Sequence, residues 1–260
     1  PFDGSGAVDH SALKKLIDFL ADHQVRGVCP IANIGEFLSL PLEERKRVIS
    51  TVCAASGGRL AVMPGVCDLN LDHTLELCRF SAQEGASAVL LCAPYYYPYP
   101  QEYLKKFLLD TVEGSPLPVV FYNSPGFTNP VDFDTILKLL DHPNVVGMKE
   151  SSGDLRQTMR ILSAAKERGG RVHVLMGWEE LLLAGLSHGA KGCIVTGAAI
   201  FPELLSEVLA SFASGNLQRA ADCEFAIQRI TASLMEIGFP QGYKLGVAAR
   251  GVSFRVLQSL

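Results

Sequence analysis

An amine at the end of an apolar run is the first feature of this sequence that invites chemistry. Lys149 closes Val145-Val-Gly-Met-Lys149, whereas almost every other lysine lies on a polar helix face or in a loop. Held there away from water, a lysine keeps its lone pair free to attack a carbonyl carbon and form an imine. The plainer alternative is a strand-end lysine in a salt bridge, with Glu150 as the adjacent acid. Tyr122 closes the preceding run, Val119-Val-Phe-Tyr122. A phenol on the same rim as the amine can carry a proton while a carbinolamine collapses to the imine. The alternative there is a core tyrosine whose hydroxyl is satisfied by backbone.

Four further segments end strand-like runs in the same way. The loop Ala32-Asn-Ile-Gly-Glu36 follows an early run. A glycine turn in that place can present consecutive N–H groups to a small carboxylate, or can be an ordinary tight turn. Gly177-Trp-Glu-Glu180 follows a later run. The carboxylates of Glu179 and Glu180 suit hydroxyl donors and repel anions, or they complement the dipole of a helix that starts there. Tyr95 with Tyr96, and Thr196, occupy the remaining strand ends.

The elements that must position these groups follow a repeated pattern of short β-branched run, loop and amphipathic helix. Leu13, Leu16, Ile17 and Leu20 form one helical stripe, with Asp9 placed to cap it. The runs lie at 27–32, 60–66, 88–93, 119–122, 145–149, 172–176 and 191–195. The helices that follow them are expected near 43–55, 71–84, 101–112, 133–140, 155–166, 179–187 and 202–213. Such alternation means parallel βαβ units with right-handed crossovers. An open dinucleotide-binding sheet would want a G-x-G-x-x-G turn after an early strand, and none is present. A (β/α)8 barrel is therefore expected over residues 1–215. Its first strand is expected to lie ahead of Pro1, and residues 216–260 are expected to form extra C-terminal helices within the same domain.

Composition narrows the function. With 48% apolar and 19% charged residues, the chain is expected to fold around a large core. A net charge of −4 offers no basic stripe for a nucleic acid. No apolar run is long enough to cross a bilayer, so a cytoplasmic protein is expected. The seven cysteines are odd in number and lack C-x-x-C spacing, which suits reduced packing residues. The six histidines form no pair at i, i+2 or i, i+4, so neither a metal-dependent aldol site nor another cofactor is expected.

The segments IGEFLSLPLEER, APYYYP, FYNSP, VVGMKESSGD and GWEE occur in the order and spacing of the dihydrodipicolinate synthase/N-acetylneuraminate lyase family, which the chain resembles from Pro1 to about residue 250. The resemblance implies a class I aldolase in which Lys149 is the Schiff-base lysine and Tyr122 the proton relay. Tyr96 would be the tyrosine donated across a subunit interface. Gly35 and Glu36 match the family's G-E pair, Gly177 and Ile194 positions lining a pyruvate pocket. Glu179 and Glu180 resemble the acids that hold a polyol tail in the sialate-lyase branch, with Thr196 and Ser151 at its hydroxyl positions.

Two departures are informative. Asn33 and Ile34 replace the usual hydroxyl pair, leaving backbone amide at Ile34 to hold a carboxylate. Phe127 stands where dihydrodipicolinate synthases resemble one another in carrying an arginine. The reading that follows is a lyase acting on a 2-keto-3-deoxy sugar acid or related 4-hydroxy-2-oxo acid. Its partners are pyruvate and an aldehyde, in a homodimer or homotetramer. The alternatives are a 4-hydroxy-tetrahydrodipicolinate synthase and a non-catalytic protein that binds a 2-oxo acid.

Overall fold

The computed structural model describes residues 1–252 and divides into two compact units, Pro1–Val62 with the chain from Val195, and Met63–Ile194. In the first unit, α1 (His10–Asp22) starts where the Asp9 carboxylate accepts the N–H groups of Ser11 and Ala12, and it buries Leu13, Ile17 and Leu20. The expected cap and stripe are thus both observed. The residues before α1 make an antiparallel bridge between Phe2 and Val8, with Asp3 Oδ1 accepting the N–H groups of Ser5 and Ala7. The strands β1 (Gly27–Val28) and β2 (Ala61–Val62) are parallel partners. Both are shorter than the apolar runs that contain them. Pro30 and Pro64 carry no N–H and cannot continue a ladder.

Helix α2 (Leu42–Ser56) packs on α1, where His10 bonds both Thr51 and Glu44. The same unit ends in α8 (Pro202–Ala213), α9 (Leu217–Ile237) and α10 (Gln241–Ala249). The Asn216 side chain caps α9 through the N–H of Arg219. Gly242 lets α10 turn against α9, since a Cβ there would collide with the Leu234 carbonyl. Lys244 of α10 is buried and forms an ion pair with Glu36, itself in the left-handed conformation at φ 52°.

The second unit carries a four-stranded parallel sheet in the order β3 (Val89–Cys92), β4 (Val119–Asn123), β5 (Val145–Glu150), β6 (His173–Met176). Strands β3 and β4 are buried throughout, as a parallel sheet covered on both faces requires. Single parallel bridges, Gly65 to Leu90 and Met176 to Cys193, extend the sheet at each edge. The expected run at 191–195 therefore contributes one bridge and no named strand. Between the strands run α3 (Leu71–Gln83), α4 (Gln101–Gly114), α5 (Phe133–Asp141) and α6 (Leu155–Glu167). After β6, the expected helix begins as a 3-10 turn over Glu179–Leu181 and continues as α7 (Leu182–Ser187).

The entry to β5 is set by Arg171. Its guanidinium donates to the carbonyls of Leu140 at 2.6 Å, His142 at 3.1 Å, Pro143 at 3.2 Å and Val145 at 2.9 Å. One planar donor group thus satisfies the carbonyls left over where α5 ends. No helix of the described residues is long and apolar enough to cross a membrane.

The buried pair of Lys244 and Glu36 generates the first test. Removing one partner leaves a buried charge alone, while replacing both with apolar groups is far better tolerated. Lys244→Met is expected to cost about 3 kcal/mol in urea unfolding. Adding Glu36→Leu should recover most of it. A single variant as stable as the parent would contradict the assignment.

Candidate active site

The carboxyl ends of β3–β6 lie along one edge of the sheet, and the chemistry-bearing side chains gather there. In the ladder between β4 and β5, Tyr122 is the direct partner of Lys149, and Asn123 that of Glu150. The Lys149 ammonium nitrogen sits 4.0 Å from the centroid of the Tyr122 ring. Tyr122 is buried and Lys149 half-buried. An aromatic face at this distance attracts a cationic nitrogen.

The salt-bridge reading of Lys149 is not what the structure shows. Successive strand residues alternate between faces. Glu150 is buried, accepts Asn123 Nδ2 at 2.7 Å and the Ser152 N–H at 2.8 Å, and forms no ion pair with Lys149 among the described residues. Burial pushes the Glu150 carboxyl above its ordinary range, against the pull of those two hydrogen bonds.

The residue after this acid is held from three sides. The Ser151 N–H donates to the Asn123 carbonyl at 2.9 Å, and its carbonyl accepts Trp178 Nε1 at 3.0 Å. Gly177 donates its N–H to the Glu150 carbonyl at 2.7 Å. A Cβ on Gly177 would lie 2.9 Å from that carbonyl oxygen and would collide with Ser151 Oγ, so only glycine fits. Among the described residues, Ser151 Oγ is buried and without a hydrogen-bond partner, and so is Glu180 Oε2. Buried polar atoms left without protein partners are uncommon and call for a partner outside the chain, an ordered water or a ligand; Ser56 Oγ and Ser81 Oγ are in the same state. Glu179 is buried in the same 3-10 turn.

Two thiols line this end of the sheet that the strand-end reading overlooked. Cys92 is the ladder partner of Tyr122, and Cys193 makes the bridge to Met176. Burial pushes the Cys193 thiol up to about 12, with the Glu179 charge adding and the Lys149 charge opposing. Cys92 is also pushed well up, by a hydrogen bond with Cys67 and by burial. Both are neutral near pH 7 and act as apolar wall. The available signal was a cysteine within each of two apolar runs, 88–93 and 191–195. Ile194, next in the chain, donates its N–H to the Met176 carbonyl at 2.8 Å.

Tyr96 lies apart from this group. It is 84% exposed, in the left-handed region at φ 70°, with its ring edge-on to Tyr97 at 4.7 Å. Asn129 fixes the loop by donating from Nδ2 to the carbonyls of Pro94 and Tyr97, both at 2.8 Å. Phe127 is exposed on the neighbouring turn.

Asn33, Ile34, Gly35 and Thr196 belong to the other unit. Asn33–Gly35 form a 3-10 turn that uses the N–H groups of Gly35 and Glu36 internally, at 2.9 and 3.0 Å. None of the described hydrogen bonds uses that of Ile34. Thr196 opens the 3-10 turn Thr196–Ala199.

Comparison with known proteins places this arrangement. The family model described as the dihydrodipicolinate synthetase family matches residues 1–259. The chain is similar to 4-hydroxy-tetrahydrodipicolinate synthase 1 of Streptomyces coelicolor, 33% identical over 92% of this chain and 77% of that protein. It is also similar to the N-acetylneuraminate lyase of Rhizobium meliloti, 28% identical over 97% of this chain and 83% of that one. The crystal structure of a dihydrodipicolinate synthase from Bacillus anthracis superposes with a TM-score of 0.92 at 26% identity, covering 98% of this chain and 87% of that chain. The fold class is accordingly the (β/α)8 barrel with extra C-terminal helices, and the protein is a class I lyase of the Schiff-base type. The chain belongs to the dihydrodipicolinate synthetase family. It is an enzyme, and the reading as a non-catalytic binding protein gives way.

The thiol beside the lysine supplies a test with a defined pH dependence. A thiol moved from the usual 9.0 to about 12 holds roughly a thousandfold less thiolate at pH 8.5, and the thiolate is the reactive form. In the native protein at that pH, iodoacetamide is expected to leave Cys193 unmodified, as read by peptide mass mapping, and to label it once the protein is unfolded. Labelling as fast as a free cysteine would contradict the half-buried, neutral assignment.

Proposed function

We propose that the enzyme is a retro-aldol lyase that cleaves a 2-keto-3-deoxy sugar acid, or a related 4-hydroxy-2-oxo acid, to pyruvate and an aldehyde. The observation that carries the reading is Lys149 Nζ held 4.0 Å over the Tyr122 ring at the carboxyl end of adjacent strands. The Lys149 amine attacks the C2 carbonyl, water leaves, and the resulting iminium becomes the electron sink. Tyr122, having given its proton to the departing water, takes the proton of the C4 hydroxyl as the C3–C4 bond breaks. The aldehyde departs, the enamine is protonated at C3, and water releases pyruvate and the free amine. Asn33, Ile34 and Gly35 are assigned to the substrate carboxylate by the family resemblance. The unused Ile34 N–H supports that role.

Ser151, Gly177, Glu179, Glu180, Ile194 and Thr196 are assigned to the rest of the substrate. The unpartnered Ser151 Oγ and Glu180 Oε2 support a tail rich in hydroxyl groups. Phe127 offers no charge-assisted partner to a second carboxylate. The runner-up is 4-hydroxy-tetrahydrodipicolinate synthase, favoured by the name of the Streptomyces coelicolor relative. We place the enzyme in the cytoplasm as a homo-oligomer, dimer or tetramer. The exposed, conformationally strained Tyr96 supports a partner subunit over that loop.

Pyruvate release from a panel of 2-keto-3-deoxy acids, run beside condensation of pyruvate with aspartate semialdehyde, separates the two readings. Cleavage is expected to exceed condensation in kcat/KM. Tyr122→Phe should lower kcat about 10²–10⁴-fold with little change in pyruvate binding. Efficient condensation without cleavage would favour the runner-up. A Tyr122→Phe variant with parental turnover would leave Tyr122 as a packing residue.

A further inference from the structure

The ladder between β4 and β5 contains an irregularity with consequences for Lys149. Val119 pairs with Val145, but Val120 pairs with Gly147, so Val146 is an extra residue in β5. A bulge of this kind shifts pairing by one residue, and a one-residue slip turns every following side chain to the opposite face. In the observed register, Lys149 meets Tyr122; shifted by one, it would turn away from that ring. Backbone hydrogen bonds alone distinguish poorly between the two, because every residue offers the same N–H and C=O. A specific side-chain pair beyond the bulge can distinguish them.

One such pair is present. Asn123 and Glu150 are ladder partners immediately after Tyr122 and Lys149, and Asn123 Nδ2 donates to Glu150 Oε2 at 2.7 Å. Both side chains are buried, at 2% and 1% exposure. The other carboxylate oxygen takes the Ser152 N–H, and the backbone around it takes Gly177 N–H and gives Ser151 N–H to Asn123. A buried carboxylate in this position is costly unless its acceptors are filled, so the arrangement strongly favours one register.

We propose that Asn123 and Glu150 are positioning residues for the reaction: their buried hydrogen bond fixes the register in which Lys149 stacks on Tyr122, and through Ser151 and Gly177 it sets the loop beside them. The pair touches no reacting atom. Its effect is on turnover, through the alignment of amine and phenol, more than on substrate affinity. This inference rests on the assignment of Lys149 and Tyr122 made above.

The test exploits the polarity of the bond. Asn123→Asp is isosteric and sets a second carboxylate against Glu150. Adding Glu150→Gln restores the contact, with the Gln amide donating to the new Asp and its carbonyl still accepting Ser152 N–H. Asn123→Asp is expected to lower kcat on the order of 10²-fold, the scale of a small misplacement of catalytic groups, with KM changed far less. The double variant should regain kcat to within roughly tenfold of the parent on that same scale.

Trp178 is the only tryptophan in the sequence, and its Nε1 is bonded to the Ser151 carbonyl. Its emission should shift in the single variant and return in the double, whether or not the substrate has been correctly named. A parent that cleaves nothing in the panel would defeat the functional reading and leave this emission test standing. If Asn123→Asp fails to fold, the double variant decides alone. A folded double with recovered kcat and parental emission supports the proposal. An Asn123→Asp variant with unchanged kcat and emission, or a double variant that stays impaired or unfolded, overturns it.

Discussion

The register of two adjacent strands is the constraint on which the site depends. A parallel ladder places residues side by side at a spacing near 5 Å, so pairing Tyr122 with Lys149 is enough to set a phenol ring against an amine. Neither side chain then has to be steered by a long flexible loop. The cost is sensitivity to slippage, which the bulge at Val146 makes real. The clamp of Arg171 on the carbonyls before β5 holds one end of that strand, and the Asn123–Glu150 bond holds the other.

Around this pair the environment is selective about charge. The thiols of Cys92 and Cys193 are kept neutral by burial, so the walls near Lys149 compete neither as nucleophiles nor as counter-ions. Glu150 is occupied with Asn123 and Ser152, which leaves the lysine without an ion pair to its nearest acid in the chain. A lysine locked to a carboxylate would have to break that bond before attacking a carbonyl. Ser151 Oγ and Glu180 Oε2 keep unfilled hydrogen-bonding capacity close by.

Much of this was readable from residue patterns where the pattern is local. The cap of α1, the presence of helices after residue 216 and the strand-end placement of Tyr122 and Lys149 all follow from periodicity and position. What escaped depends on partners that periodicity does not connect. Glu150 read as a possible mate for Lys149 because they are adjacent, yet strand alternation turns it to Asn123, 27 residues away. Lys244 meets Glu36 across 208 residues. Cys193 looks like any small apolar residue in its run, and only burial near two charges shows its chemistry. The run containing it shrank to one bridge because apolar content signals burial without specifying pairing.

The most direct measurement concerns Lys149 itself. Incubation with pyruvate and borohydride, followed by peptide mass mapping, identifies any amine that forms the imine. The account requires one reduced pyruvate adduct, on the peptide carrying Lys149, and none in a Lys149→Ala variant that retains its fold. An adduct on a different lysine, or one that persists after Lys149→Ala, would contradict it.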